Sequence, residues 1–314
     1  MRQPTDLICI GMALVDCLIR GFDPTPVSAS GYRAESCTLS VGGEAVNAAC
    51  AAAKLGVRTG IVCALGQDAA GQMVEAELVR NGVNTEGVYR PADYATPVTT
   101  MFVKEDGSRQ SVTNRAHAYN FHPEREPERF TGARAVLLGS LFRAPFDDPE
   151  VVTEVLRQAH AAGALVFADT KLPNFRKLTL ADLREALPLI QTITPNEDEA
   201  RYFTGKEEPE EMADVLLGYG VRNVIIKLGA QGCYLKNAHG SVRLPAYPVK
   251  AVDATGAGDN LVAGYVSEIL RGKTPEEALA FGNACGAICA TAVGAGAGLK
   301  NREQVLELMK KGRC

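Results

Sequence analysis

Short apolar runs alternate along this chain with longer segments of helical period. Residues 6–11 (DLICIG) are continuously apolar up to Gly11, the pattern of a strand buried on both faces of a parallel sheet. Residues 42–55 (GGEAVNAACAAAKL) are alanine-rich and predict a helix that opens on a glycine pair and stops at Gly56. RTGIVCALG at 58–66 predicts the next strand, and AAGQMVEAELVRNGV at 69–83 an amphipathic helix ending at Gly82. The alternation returns with ARAVLLGS at 133–140 (strand), PEVVTEVLRQAHAAG at 149–163 (helix), ALVFAD at 164–169 (strand) and LADLREALPLI at 180–190 (helix). QTITPNEDEARYFTG and RNVIIKLGAQGCYL continue it. This order predicts an α/β fold: a doubly wound, mostly parallel sheet flanked by helices.

Two stretches break the rhythm. Residues 12–38 and 94–118 hold short alternating segments such as TPVTTMFVKEDGSRQSVTN, with a turn at Asp106-Gly107. They predict antiparallel hairpins outside the main sheet, assembled into one small β-sheet lid. Residues 122–129 (HPEREPER) form a charged, proline-punctuated link back to the main body, and a single domain over 1–314 is expected.

Composition narrows the function classes. The chain has 314 residues, 46% hydrophobic and 22% charged, with 33 basic and 37 acidic side chains for a net charge of −4. Charges are mixed throughout and no basic run occurs, which argues against a nucleic-acid partner. Nine cysteines, an odd number without a C-x-x-C pair, lie mostly in apolar segments and suit a reduced protein with free thiols. Cys285 and Cys289 are one helical turn apart, but no nearby His or second pair completes a zinc site. No signal-peptide pattern and no run of membrane-spanning length is present, so a cytoplasmic protein without a membrane partner is expected.

The chemistry concentrates in DATGAGDNLVAGY, from Asp253 to Tyr265. A glycine-rich turn opening a helix directs backbone N–H groups at one small volume, which suits charge developing on a transferring phosphoryl group. Asp259 beside it has either of two roles: a base for an attacking hydroxyl, or the N-cap of the helix. Neither a G-x-x-x-x-G-K-[ST] loop nor a G-x-G-x-x-G turn after the first strand occurs. Gly272-Lys273-Thr274 only mimics the tail of the former, and TPEEALA reads as a capping box with Thr274 at N-cap, Pro275 at N1 and Glu277 at N3.

DATGAGD, GGEAVN and TPNEDE, with the Gly11…Asp16 segment and IKLGAQG, resemble the signature segments of the ribokinase-like, or PfkB, carbohydrate kinases. The resemblance covers nearly the whole chain. It implies an ATP-dependent sugar kinase that phosphorylates a hydroxyl of a ribose-, fructose- or keto-acid-type sugar. By it Asp259 matches the catalytic base, and Gly256, Ala257 and Gly258 the anion hole. Asp16, Gly42, Gly43 and Asn47 match the sugar-binding positions. Asn196, Lys227, Gly229, Gly232 and Asn283 match positions around ATP, and Glu199 the acid that holds Mg²⁺ through water. Asp253 matches a position associated with K⁺, although Gly298 stands where some relatives have a serine. A homodimer through the lid is also implied.

Departures fall on the acceptor side. Arg115-Ala116-His117 replaces a G-A-N segment at the lid return, and Phe142 or its neighbours a glutamate after the central strand. Arg115, His117 and Lys171 are candidate contacts for an acidic or phosphorylated sugar. Phe102, Tyr119, Phe121 and Phe142 are candidates for stacking on a nucleobase, so a nucleoside kinase of the same superfamily is the alternative. A catalytically silent sugar- or nucleotide-binding protein is disfavoured because both Asp259 and Glu199 are present.

Overall fold

The structure, a computed structural model, describes residues 5–21, 33–104, 108–114, 121–174 and 176–312. Its larger sheet is built from β1 (Leu7–Ile10), β4 (Thr59–Val62), β7 (Ala135–Leu141), β8 (Leu165–Thr170), β9 (Thr192–Thr194), β10 (Asn223–Lys227), β11 (Cys233–Asn237) and β12 (Gly240–Leu244). The spatial order is β12-β11-β10-β9-β8-β7-β1-β4. Pairs from β4 to β10 are parallel, and β11 and β12 extend the edge as an antiparallel hairpin. The continuous apolar runs follow from burial on both faces. In β1, Leu7 and Cys9 join one core while Ile8 and Ile10 join the other, and β7 splits the same way.

One core packs under α1 (Glu44–Lys54), α2 (Ala69–Arg80), α6 (Ala257–Leu270), α7 (Pro275–Cys289) and α8 (Arg302–Lys310). The other packs under α3 (Pro149–Ala161), α4 (Glu197–Thr204) and α5 (Pro209–Gly218). The capping box at α7 is present, with Thr274 and Glu277 each bonding the other's backbone N–H. Because β1 lies between β4 and β7, the winding reverses beside it, and a crevice opens at the carboxyl ends of the strands.

The second sheet has four strands, β2 (Leu14–Arg20), β3 (Ser36–Gly42), β5 (Val98–Val103) and β6 (Arg109–Thr113), in the order β3-β2-β5-β6. These fall in the two stretches expected to form the lid. Hairpins alone do not build it: β2 pairs with β5 in parallel, which joins the two stretches in one register from Val15 opposite Val98 to Arg20 opposite Val103. The turn at Asp106-Gly107 lies outside the described residues.

One element differs from expectation. Residues 180–190 form successive turns and a short 3₁₀ segment at Leu187–Leu189, not an α-helix. Asp182 accepts from both the N–H and the hydroxyl of Thr179, and Leu183 and Ala186 bond three residues back. Pro188 has no N–H to continue a helix and its ring would crowd the preceding turn. The 122–129 link folds as two 3₁₀ turns, each opened by a proline.

Candidate active site

Two helix starts meet at the crevice. Gly43 caps α1 with φ +100°, and any side chain there would collide with the Met12 carbonyl. Gly256 caps α6 with φ +75°, pressed against Ala295. Only glycine adopts such conformations without cost and also leaves room for these neighbours. Asp259 is therefore not the N-cap but lies in the first turn, where its Oδ2 accepts a 2.7 Å hydrogen bond from Asn47 Nδ2 on α1. The helix begins at Ala257, whose N–H donates to the Ala254 carbonyl at 3.1 Å. That N–H is engaged, unlike the open role expected for it.

Asp259 is buried, and burial, then the charges of Glu44 and Asp169, push its carboxyl up to about 7. Lys171 and the Asn47 hydrogen bond act in the opposite direction. On the lid, Asp16 lies against Gly42, where a β-carbon would overlap its carboxylate. Burial first, and the Glu44 charge second, push Asp16 up to about 6. Asp16, Gly42, Gly43, Asn47 and Asp259 thus form one wall.

On the other side of Asp259, Lys227 ends β10 and its Nζ reaches Asp169 Oδ1 at 2.5 Å. The same ammonium stands 3.2 Å from where a β-carbon of Gly258 would be. A cation at a helix N-terminus faces the positive end of the helix dipole, an arrangement that an arriving anion relieves. Asp169 also accepts from the Thr194 hydroxyl at 2.8 Å. A cleft of ≈ 420 Å³ extends from there, lined by Lys227, Gly229, Gly232, Gly258 and Asn283. Asn283 is fixed on its wall by donating to the Pro245 carbonyl at 2.8 Å.

Asn196 and Glu199 form the capping box of α4, so the acidic helix start is structural as well as chemical. Glu199 is buried and its Oε2 accepts from the Thr170 hydroxyl and the Asn196 N–H, at 2.8 and 3.0 Å. Burial raises its carboxyl above the usual range, with Lys227 opposing. Asp253 spends its carboxylate elsewhere. Oδ1 accepts from the N–H and hydroxyl of Thr255 and Oδ2 from the Gly294 N–H, which staples the turn before α6 to the 293–297 loop. Gly298 presses on the Ile288 and Cys289 carbonyls, so a serine would not fit there without a shift.

Two groups escaped the sequence reading. Asp169 only ended an apolar run, the one available signal, and Glu44 stood unremarked beside the glycine pair. Lys171 is not free for an acidic sugar, since its Nζ pairs with Glu44 Oε1 at 3.3 Å. Phe142 stacks on Phe203 at 4.0 Å between centroids, and Phe121 packs edge-on to Tyr89, so both aromatic rings are core and not nucleobase platforms. Arg115, His117 and Tyr119 lie outside the described residues. Among those described, no helix is long and apolar enough to cross a membrane, and no cluster of three metal-ligating side chains occurs.

Residues 4–302 match the sequence profile of the pfkB family carbohydrate kinases. Fructokinase-1 of Oryza sativa subsp. japonica is 31% identical over 334 residues, which covers 97% of this chain and 97% of that protein. The structure of Arabidopsis thaliana ribokinase complexed with ribose and ATP is similar with a TM-score of 0.85 at 25% identity, over 98% of this chain and 99% of that one. A putative ribokinase II from E. coli, in complex with ATP and Mg²⁺, gives 0.81 at 24% identity over 98% and 100%. At that identity the likeness is one of fold.

Proposed function

The chain belongs to the pfkB family of carbohydrate kinases, ATP-dependent phosphotransferases, and on that premise we propose that it transfers the γ-phosphoryl group of ATP to a hydroxyl of a small sugar of ribose, fructose or keto-acid type. The observation that carries this reading is the start of α6, where a buried carboxylate and an ammonium flank one helix N-terminus. Lys227 and the positive N-terminus of α6 beside Gly258 receive phosphate charge; Asp259 accepts the proton of the attacking hydroxyl. Asp16 and Asn47 orient the sugar by accepting from and donating to its hydroxyls. The cleft beside Gly229, Gly232 and Asn283 suits the nucleotide. An ADP-release assay over a panel of sugars and nucleosides tests it: acceptor-dependent ADP with sugars supports the proposal, and acceptor-independent or absent turnover overturns it.

A carboxylate near 7 is well matched to a proton that leaves a neutral alcohol at physiological pH. Because the folded-state value lies above the ordinary 3.8, Asp259 is protonated and inactive below it. Activity is therefore expected to fall as pH drops through about 7, while the same raised value costs folding stability as pH rises from 3.8 to about 7, a loss that is complete above it. A pH profile of kcat/KM checks this; a flat profile from about pH 8 down to about pH 5 contradicts it.

Glu199 fits a metal held through water. It is buried, its charge is opposed by burial, and both of its hydrogen bonds fall on Oε2. Bound Mg²⁺ would neutralise phosphate oxygens as the γ-phosphoryl group moves. Glu199→Gln should raise the Mg²⁺ requirement and slow turnover with sugar binding nearly unchanged. Calorimetry that shows lost sugar affinity at unaltered Mg²⁺ dependence would refute the role. Asp253 accepts from Thr255 and Gly294, and Gly298 adds no side-chain oxygen, so no step is derived through K⁺.

The lid presents apolar side chains outward, Leu39 at 57% and Val112 at 65% exposure. Pairing of two lids into a homodimer would cover them. Light scattering that gives a monomer at assay concentration excludes this assembly. Free, mostly buried thiols suit a reducing compartment, the cytoplasm being the proposed setting.

A further inference from the structure

The transfer chemistry leaves one ion pair of the crevice unused. Glu44 opens α1, Lys171 follows β8, and the two form a partly buried ion pair on the acceptor side of Asp259. Ser140, near the end of β7, is buried beside the Glu44 carboxylate, and its hydroxyl makes no well-formed hydrogen bond. Ser140 and Phe142 both take left-handed backbone, φ +70° and +75°, where β7 slips register against β8. Non-glycine residues rarely adopt that region, and strain of this kind clusters at ligand sites. The distorted strand end closes over the start of α1, so that a β-carbon on Gly139 would be 3.3 Å from that of Glu44.

We propose that the Lys171–Glu44 pair, roofed by Ser140, selects the acceptor by admitting neutral polyols and rejecting sugars that carry a carboxylate or phosphate, which narrows the acceptor from the three sugar types above to the neutral ribose and fructose types. The proposal rests on the kinase reading above. A hydroxyl both donates and accepts, and the pair offers it both partners at once: a carboxylate oxygen of Glu44 and the remaining N–H donors of Lys171. Neither member must leave the other. An anionic acceptor has no such fit. It would take Lys171 for itself, strand Glu44 in a partly desolvated position, and lie close to Asp16 and Asp259. Lys227, the other ammonium at this end of the sheet, is already bound by Asp169.

The experiment compares kcat/KM for neutral acceptors (fructose, ribose) and anionic ones (gluconate, 2-keto-3-deoxygluconate, fructose 6-phosphate). It uses wild type, Glu44→Gln and Lys171→Met, with thermal melts and ATP binding to confirm folding. Wild type should prefer a neutral acceptor. Glu44→Gln, which frees the ammonium, should shift the anionic-to-neutral ratio upward by on the order of tenfold. Lys171→Met, which leaves the carboxylate alone, should not raise that ratio. A wild type that prefers an anionic acceptor, or a Glu44→Gln enzyme whose ratio is unchanged, overturns the selector. Absence of ADP formation with every acceptor overturns the kinase reading itself, and the selector with it.

Discussion

Replacing Asp259 with Asn should leave a protein that folds and binds ATP and sugar but has lost on the order of 10²–10⁴ in kcat. Asn keeps the size of the side chain and an oxygen for the Asn47 amide, yet cannot take a proton. The cap of α6 is Gly256, so no capping contact is removed. The folded state should even gain. Burial and the neighbouring carboxylates disfavour the Asp259 charge, and a neutral amide escapes that penalty above about pH 7. The expected signature is a melting temperature equal to or above wild type beside collapsed turnover. A purely structural aspartate predicts the reverse: a lower melting temperature with near-normal kcat. Steady-state kinetics and a melt on the same preparation decide between them.

How much of this site was legible in the sequence depends on the reach of each interaction. The glycine turn, Asp259, the capping box at Thr274 and the apolar strands are local patterns, and each was read from its own segment. Whether Asp259 caps α6 was left open by the sequence, and only the left-handed Gly256, pressed against Ala295, puts the cap three residues earlier. Residues 180–190 carried a helical period, but Pro188 and the Thr179–Asp182 bonds favoured turns. Asp169 could not be recognised alone, since its partner Lys227 comes 58 residues later. The Lys171–Glu44 pair and the parallel joining of β2 to β5 likewise exist only after distant strands meet. Lys171 read alone suggested a site for anions; its pairing reverses that inference.

Lys227→Met should be the second most damaging change, and in a different way. Both partners are nearly enclosed, Lys227 with 13% and Asp169 with 7% of the side chain exposed. Loss of the ammonium strands Asp169 among Glu199 and Asp259, and breaking a buried pair by removing one partner costs about 3–5 kcal/mol. A fall of several degrees in Tm is the expected reading. The helix start also loses the cation beside Gly258, so KM for ATP should rise with little change for the sugar. Adding Asp169→Asn to Lys227→Met removes the stranded charge and should recover much of the stability without recovering ATP binding. That separation is the test. If the double variant regains ATP affinity together with Tm, Lys227 only balances Asp169; if stability returns alone, its ammonium receives the phosphate charge at the start of α6.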